Sequence, residues 1–279
     1  MIVDFHTHIV PPRFLERREE TARRDATFRA LFSDPGSRLA TADDLVSAMD
    51  GAGVDASVVM GVGWTDREVA REANDYIIQA VERHPGRLVG FCSVNPGWGP
   101  DAVAEAGRCA ARGAAGIGEL HPDSQGFDLG DAETMAPLMG LARDRGLVVL
   151  THSSEPVGHT YPGKGKTTPE VLYAFARNFP GNTLVFAHWG GGLPFYTLMP
   201  EVRDALDRVY YDTAASPLLY SPGVFSAAAG LGVTDRVLFG TDFPLIRHRR
   251  LLREVEGAPL ADSARRAIMG ENARGLLGL

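Results

Sequence analysis

Six residues of this chain have side chains that hold metals and move protons, and each closes a short apolar run. They are His6 and His8 in "DFHTH", Glu119 in "GIGEL", His152 in "LTHS", His188 in "FAHWGGG" and Asp242 in "FGTDFP". Neutral imidazole and carboxylate are ligands for zinc and its neighbours. A divalent ion in such a set lowers the pKa of bound water towards about 7 and polarises a carbonyl. A carboxylate at the rim then shuttles the proton. Asp242 is the candidate for that catalytic role while also touching the metal. His188 is either a ligand of a second metal or a donor that orients the reacting group. A lone histidine at a strand end is more often a hydrogen-bonded core residue, and a lone "GTD" is usually a turn. The coincidence of all six with the ends of ordered strands points to a metal centre.

The elements that must position them follow from the apolar runs. Runs over 2–6, 57–62, 88–94, 115–120, 147–152, 183–188, 208–213 and 236–241 are continuous and rich in β-branched residues, as in strands buried on both faces. Helical patterns fall between them. Thr41 with Asp44 three residues on predicts a capped helix that stops at Gly51 or Gly53, and Thr168-Pro169 predicts another helix start. Two further patterns, "DAVAEAGRCAARG" and "DAETMAPLMGLARDRG", end at glycine. Eight strands alternating with helices predict a single (β/α)8 TIM barrel, one domain over residues 1–279, with a doubly wound open sheet as the alternative. His6 and His8, two apart on a strand, share a face. The C-terminal ends of all barrel strands converge, so the six ligand-type residues meet.

Two connections are too long for simple loops. Residues 9–40 carry mixed charge at helical spacing and predict a helical insertion after the first strand; residues 153–168 follow the fifth. Both rise on the face where barrel active sites lie, as walls or lids of a pocket. His121, two residues after Glu119, and His159, in the second long loop, are open candidates for the pocket. Lys164 and Lys166 are candidates for an anionic substrate group, with solvation as the alternative. His84 and His248 read as surface residues. Asp4 is expected to orient the first strand below the metal. Asp212 either lines the pocket or makes a structural hydrogen bond. "GHTYPGKG" misses the phosphate-loop pattern because Gly165 stands where Ser or Thr is needed.

Composition bounds the remaining classes. The formal net charge of −7 argues against nucleic acid as the main partner. The two cysteines, Cys92 and Cys109, suit buried thiols in a reducing compartment better than a disulfide scaffold. No apolar run is long enough for a membrane span, and residues 1–15 lack the features of a signal peptide. The expectation is a cytoplasmic protein acting on a small-molecule substrate, with no membrane or nucleic-acid partner and a homodimer left open.

From "DFHTH" to the closing "GENARGLLGL" the chain resembles the amidohydrolase superfamily. "HTHIVPPRF", "AHWGGGLP" and "FGTDFP" are similar to the amidohydrolase-related branch that includes aminocarboxymuconate-semialdehyde decarboxylase. The resemblance implies His6, His8, His152 and Asp242 as metal ligands and His188 as the histidine near the metal-bound water. Many family members carry a carboxylated lysine on the fourth strand; Glu119 stands there instead, as in TatD-like deoxyribonucleases. One firm zinc site with an optional second ion is therefore expected. The leading expectation for activity is a metal-dependent hydrolase of a small amide, lactone or ester. A non-oxidative decarboxylase of an unsaturated or aromatic acid is the alternative, with a TatD-like nuclease behind it.

Overall fold

The computed structural model describes residues 1–279. Its strands are β1 (Val3–His8), β2 (Ala56–Met60), β3 (Leu88–Cys92), β4 (Gly116–Leu120), β5 (Val148–Thr151), β6 (Leu184–Phe186), β7 (Val209–Asp212) and β8 (Val237–Leu238). They form one parallel sheet in the order β1 to β8. Beyond β8 the chain closes the barrel against β1: Phe5 N–H donates to Phe239 O and His8 N–H to Phe243 O, both at 2.7 Å. The fold is a TIM barrel ringed by helices.

Both faces of the sheet are buried, which is why the strands read as unbroken apolar runs. Val3, Phe5, Val58, Met60, Phe91 and Leu150 belong to one cluster, with Phe5 edge-on to Phe91 at 5.8 Å. Ile117, Leu138, Phe175 and Phe186 belong to a second cluster that joins strands to helices. The helix Ala42–Ala52 opens on the Thr41–Asp44 capping box and stops at Gly53, in the left-handed region at φ 73°. The helix Pro169–Asn178 starts after Thr168, although the Thr168 side chain makes no cap bond. β6 and β8 are shorter than the runs 183–188 and 236–241. At each the backbone leaves the ladder early to turn a functional side chain inward.

The stretch 9–40 folds into three short helices, Pro12–Glu16, Arg18–Arg24 and Ala26–Phe32. Phe14 and Phe28 pack on Trp64 at 5.8 and 6.3 Å. Buried Asp25 accepts from Phe28 N–H, Thr65 N–H and Asp66 N–H. Arg18 donates to the carbonyls of Asp34 (2.9 Å) and Ser37 (3.0 Å), fixing the turn that leads back to the barrel. The stretch 153–168 stays irregular and is pinned by Asp123, which accepts from Lys166 N–H and Thr167 Oγ1. No helix is long and apolar enough to cross a membrane.

Candidate metal centre

All six singled-out residues reach one place at the C-terminal mouth. His6 and His8 end β1 and Glu119 lies in β4. His152 follows β5 directly, His188 stands two residues past β6, and Asp242 stands four past β8. His188 and Asp242 are placed by unusual backbone: φ is 55° at His188 and 65° at Asp242. Left-handed backbone costs a residue with a Cβ roughly 1–2 kcal/mol, and such strain gathers at functional sites. The left-handed run continues through Trp189 to Gly192. Here the glycines are required: a Cβ on Gly191 would lie 2.4 Å from Ser154 O. The strain at Trp189 is offset by burial, by its indole N–H donating to Ser216 Oγ (2.9 Å), and by packing on Phe225.

Hydrogen bonds fix which nitrogen faces inward. His6 Nδ1 donates to Asp212 Oδ2 at 2.8 Å and His188 Nδ1 to Ala214 O at 3.0 Å. Each therefore turns Nε2 to the centre. His6 Nε2 and His8 Nε2 stand 3.0 Å apart. His8 Nε2 also lies 3.3 Å from Asp242 Oδ1 and 3.5 Å from Glu119 Oε2. On the other side of Glu119, Oε1 lies 2.9 Å from His152 Nδ1, with His188 Nε2 3.2 Å from that nitrogen. The donor atoms thus fall into two groups, His6–His8–Glu119 and Glu119–His152–His188, each close enough to hold an ion. Buried imidazole nitrogens facing each other beside a carboxylate repel unless a cation sits among them. The donor set fits a divalent ion.

The electrostatics carry the same signature, with protons in place of the ion. Burial pulls the His6 pKa down, but Asp212 and Glu119 outweigh it and hold it well above the ordinary histidine value. Burial likewise opposes charge on His188, yet Glu119 and Asp242 raise it to about 9. Burial favours protonated Glu119, but His152, His188 and His6 hold it well below the usual carboxylate range. Asp242 is lowered against burial by His8 and His6.

Residues around the centre resolve the open expectations. Asp212 makes the structural bond: besides holding His6, its Oδ1 accepts from His188 N–H (2.9 Å) and Ala214 N–H (3.0 Å). Asp4 accepts from His6 N–H, Thr241 N–H and Thr241 Oγ1, tying β1 to the turn that presents Asp242. His248 is not solvated as expected; it is 2% exposed. Its Nε2 lies 3.1 Å from Asp4 Oδ2 without the alignment of a hydrogen bond, and its ring stacks on Phe243. It opens a buried stripe with Leu251, Leu252 and Val255, a helical spacing that the neighbouring arginines mask. Lys164 does not face the centre: Nζ donates to Val157 O and His159 O within its own loop. Lys166 is exposed, and only its backbone is tied, to Asp123. His121 is buried beside His152, with its pKa pushed down to about 3 by burial and by His152.

A cavity of about 400 Å³ opens above the donors. His121 and His159 line it, as do Leu31, Phe32 and Arg38 from the insertion, Leu218 and Leu219 after β7, and Leu245 after β8. The leucines and Arg38 carry no motif and were not singled out in the sequence.

Comparison with known proteins adds the family. The amidohydrolase family model matches residues 3–279. The chain belongs to the amidohydrolase family. This amidohydrolase is 28% identical, over 139 residues, to 6-methylsalicylic acid decarboxylase of Penicillium expansum; the match spans 39% of this chain and 42% of that protein. Its fold is similar to 5-carboxyvanillate decarboxylase from Sphingomonas paucimobilis, with TM-score 0.80, 16% identity and coverage of 100% and 99% of the two chains. It is also similar to a dihydroxybenzoic acid decarboxylase from Polaromonas sp. JS666 with bound manganese and the inhibitor 2-nitroresorcinol. There the TM-score is 0.75, identity is 18% and coverage is 100% and 97%. These relatives overturn the leading expectation of a hydrolase of a small amide, lactone or ester, because they are decarboxylases. The physical reason is that one donor set serves both reactions: an ion that polarises an amide carbonyl also binds a carboxylate. Strand-end ligands do not separate the two.

Proposed function

We propose that this amidohydrolase-family enzyme is a metal-dependent non-oxidative decarboxylase of an aromatic carboxylic acid. The observation that carries the reading is the cavity. Metal donors lie at its floor, leucines and Phe32 form its walls, and Arg38, which makes no ion pair, is the one arginine or lysine among its lining residues. A volume of about 400 Å³ suits a single substituted ring. A polar floor and a cationic rim suit a carboxylate, and apolar walls suit the ring that bears it. The activities named for the relatives agree with this chemistry.

In this reading His6, His8 and Asp242 would hold a divalent ion. Glu119 stands between them and His152 and His188, which would complete the set or hold a second ion. Imidazole–carboxylate ligation is compatible with zinc, and manganese is present in one relative. The ion supplies charge neutralisation and polarisation of the substrate carboxylate. The chain's own groups do the rest. Arg38 steers and orients the anionic acid. The leucines and Phe32 give the ring apolar contact. As carbon dioxide departs, its bonding electron pair stays on the ring carbon, which takes a proton. His188 Nε2 is placed to deliver it, because Nδ1 is committed to Ala214 O and Nε2 therefore faces the floor of the cavity. Asp242, at the same floor, relays the replacement proton.

The test is a panel of carboxyl-labelled aromatic acids beside amides, lactones and esters, given to metal-loaded protein. Labelled carbon dioxide from an aromatic acid is expected. Hydrolysis of a neutral substrate, with no carbon dioxide from any acid, would refute the reading.

A further inference from the structure

The cavity has two unlike sides. In the β1–β8 order, β4 stands across the barrel from β8. On the β8 side Leu218 and Leu245 leave 45% and 51% of their surface uncovered. On the β4 side stands His121, 3% exposed and lining the cavity, with neither ring nitrogen bonded to any protein group. A buried polar side chain is normally satisfied, and one left without a partner in a pocket calls for a ligand.

The position of His121 is rigid. Its backbone N–H donates to Gln125 Oε1 (2.9 Å), and Gln125 Nε2 donates in turn to Trp64 O (2.9 Å) and Val94 O (3.1 Å). Its ring stacks on His152 at 4.2 Å with 11° between planes. Gly63 makes room for it: a Cβ there would lie 2.6 Å from His121 Cβ. This side chain is built into place, and its own fold uses neither nitrogen.

We propose that His121 is a specificity-determining residue: its imidazole takes the hydroxyl that an aromatic acid carries beside its carboxylate, while the opposite leucine wall takes an apolar substituent. The inference rests on the aromatic-acid reading and deepens it. Imidazole always keeps at least one N–H donor, and a hydroxyl both accepts and donates. A methyl group in the same place would leave that donor buried and unpaired. Leu218 and Leu245 offer a hydroxyl no partner of their own, whereas a methyl against them covers apolar surface.

Three acids separate the sides. 6-Methylsalicylate has one hydroxyl and one methyl flank, 2,6-dimethylbenzoate has two methyls, and 2,6-dihydroxybenzoate has two hydroxyls. Dissociation constants come from calorimetry on metal-loaded protein. Wild type is expected to bind 6-methylsalicylate about tenfold more tightly than 2,6-dimethylbenzoate, the scale of one lost buried hydrogen bond, and about threefold more tightly than 2,6-dihydroxybenzoate, the scale of one methyl group covered by the leucines. His121→Phe keeps the stack on His152 and removes both nitrogens, and it should shrink the preference over 2,6-dimethylbenzoate to within about twofold. His121→Gln, which keeps a donor and an acceptor, should retain part of that preference and supplies the answer if the Phe variant misfolds. An unchanged preference in these variants would assign the hydroxyl to another group and overturn the inference, as would equal binding of 2,6-dihydroxybenzoate by wild type. Binding in the expected order without carbon dioxide release would support the subsite while refuting the decarboxylase reading. Binding of none of the three would overturn both.

Discussion

Asp212→Asn isolates the tautomer logic of the metal centre. Asp212 is fully buried and divides its work: Oδ1 accepts from His188 N–H and Ala214 N–H, while Oδ2 accepts from His6 Nδ1. Asparagine keeps its oxygen on the two backbone donors and turns its amide nitrogen to His6. That nitrogen only donates, so His6 Nδ1 must accept and the ring proton moves to Nε2, the atom that faces His8 at 3.0 Å. The lone pair meant for the ion is blocked. Flipping the amide offers no escape, because its nitrogen would then face two N–H donors.

Loss of such an orienting partner costs about 10- to 100-fold in metal affinity. With metal at 100 times the wild-type Kd, binding stabilises the wild type by about 2.7 kcal/mol, and a 100-fold weaker site keeps only about 0.4 kcal/mol. At roughly 2–4 °C per kcal/mol for a chain of this size, the metal-induced rise in Tm is about 5–10 °C for wild type and about 1 °C for the variant. Calorimetric titration gives the affinity and differential scanning the increment. A folded Asp212→Asn protein with wild-type affinity and a wild-type increment would refute the reasoning.

Asp242→Asn should retain most of its metal and lose roughly 10²-fold or more in turnover by removing the proton relay; near-normal turnover in metal-loaded protein would reduce Asp242 to a turn residue. Arg38→Ala should raise KM for aromatic acids about tenfold or more and leave metal content unchanged, whereas an unchanged KM would remove Arg38 from binding. Gly191→Ala puts a Cβ 2.4 Å from Ser154 O at a left-handed position, so its Tm should fall by several degrees; wild-type Tm would show that the turn relaxes freely. The metal-free protein should lose stability between about pH 6.5 and pH 9. The His188 pKa is raised from 6.5 to about 9, so its contribution is full below the unfolded value and lost as pH rises through the folded one. Thermal melts of metal-free His188→Asn should show a smaller loss, the remainder coming from His6, whose pKa is also raised, and an identical pH profile would contradict the assignment.

The barrel is legible in the sequence because strands buried on both faces need no alternation, and because ligand-type residues interrupt those runs at one end only. His6 and His8 are readable from spacing alone. Other features depend on contacts that no local pattern encodes. Asp212 looks like any strand-end aspartate until His6, 206 residues away in sequence, is seen against it. His248 is hidden by its arginine neighbours, although its spacing to Leu251, Leu252 and Val255 carried the signal of burial. Arg38 is one arginine among many in the stretch 9–40, and it lines the cavity directly after the turn that Arg18 holds. The reaction class was misread for a different reason. The six donors specify a cation, and a cation polarises a carbonyl or a carboxylate alike. The activities named for the relatives separate the two, and the donor residues carry no motif that does.

The most direct test of a decarboxylase is the fate of the ring carbon. Metal-loaded protein is given 6-methylsalicylate in D2O, and gas and phenol are analysed by mass spectrometry. The account predicts equal amounts of carbon dioxide and 3-methylphenol, the phenol carrying one deuterium at the carbon that lost its carboxylate, and no product after the metal is removed with a chelator. Absence of carbon dioxide from this acid and from the other hydroxylated aromatic acids, with folded and metal-loaded protein, would contradict it.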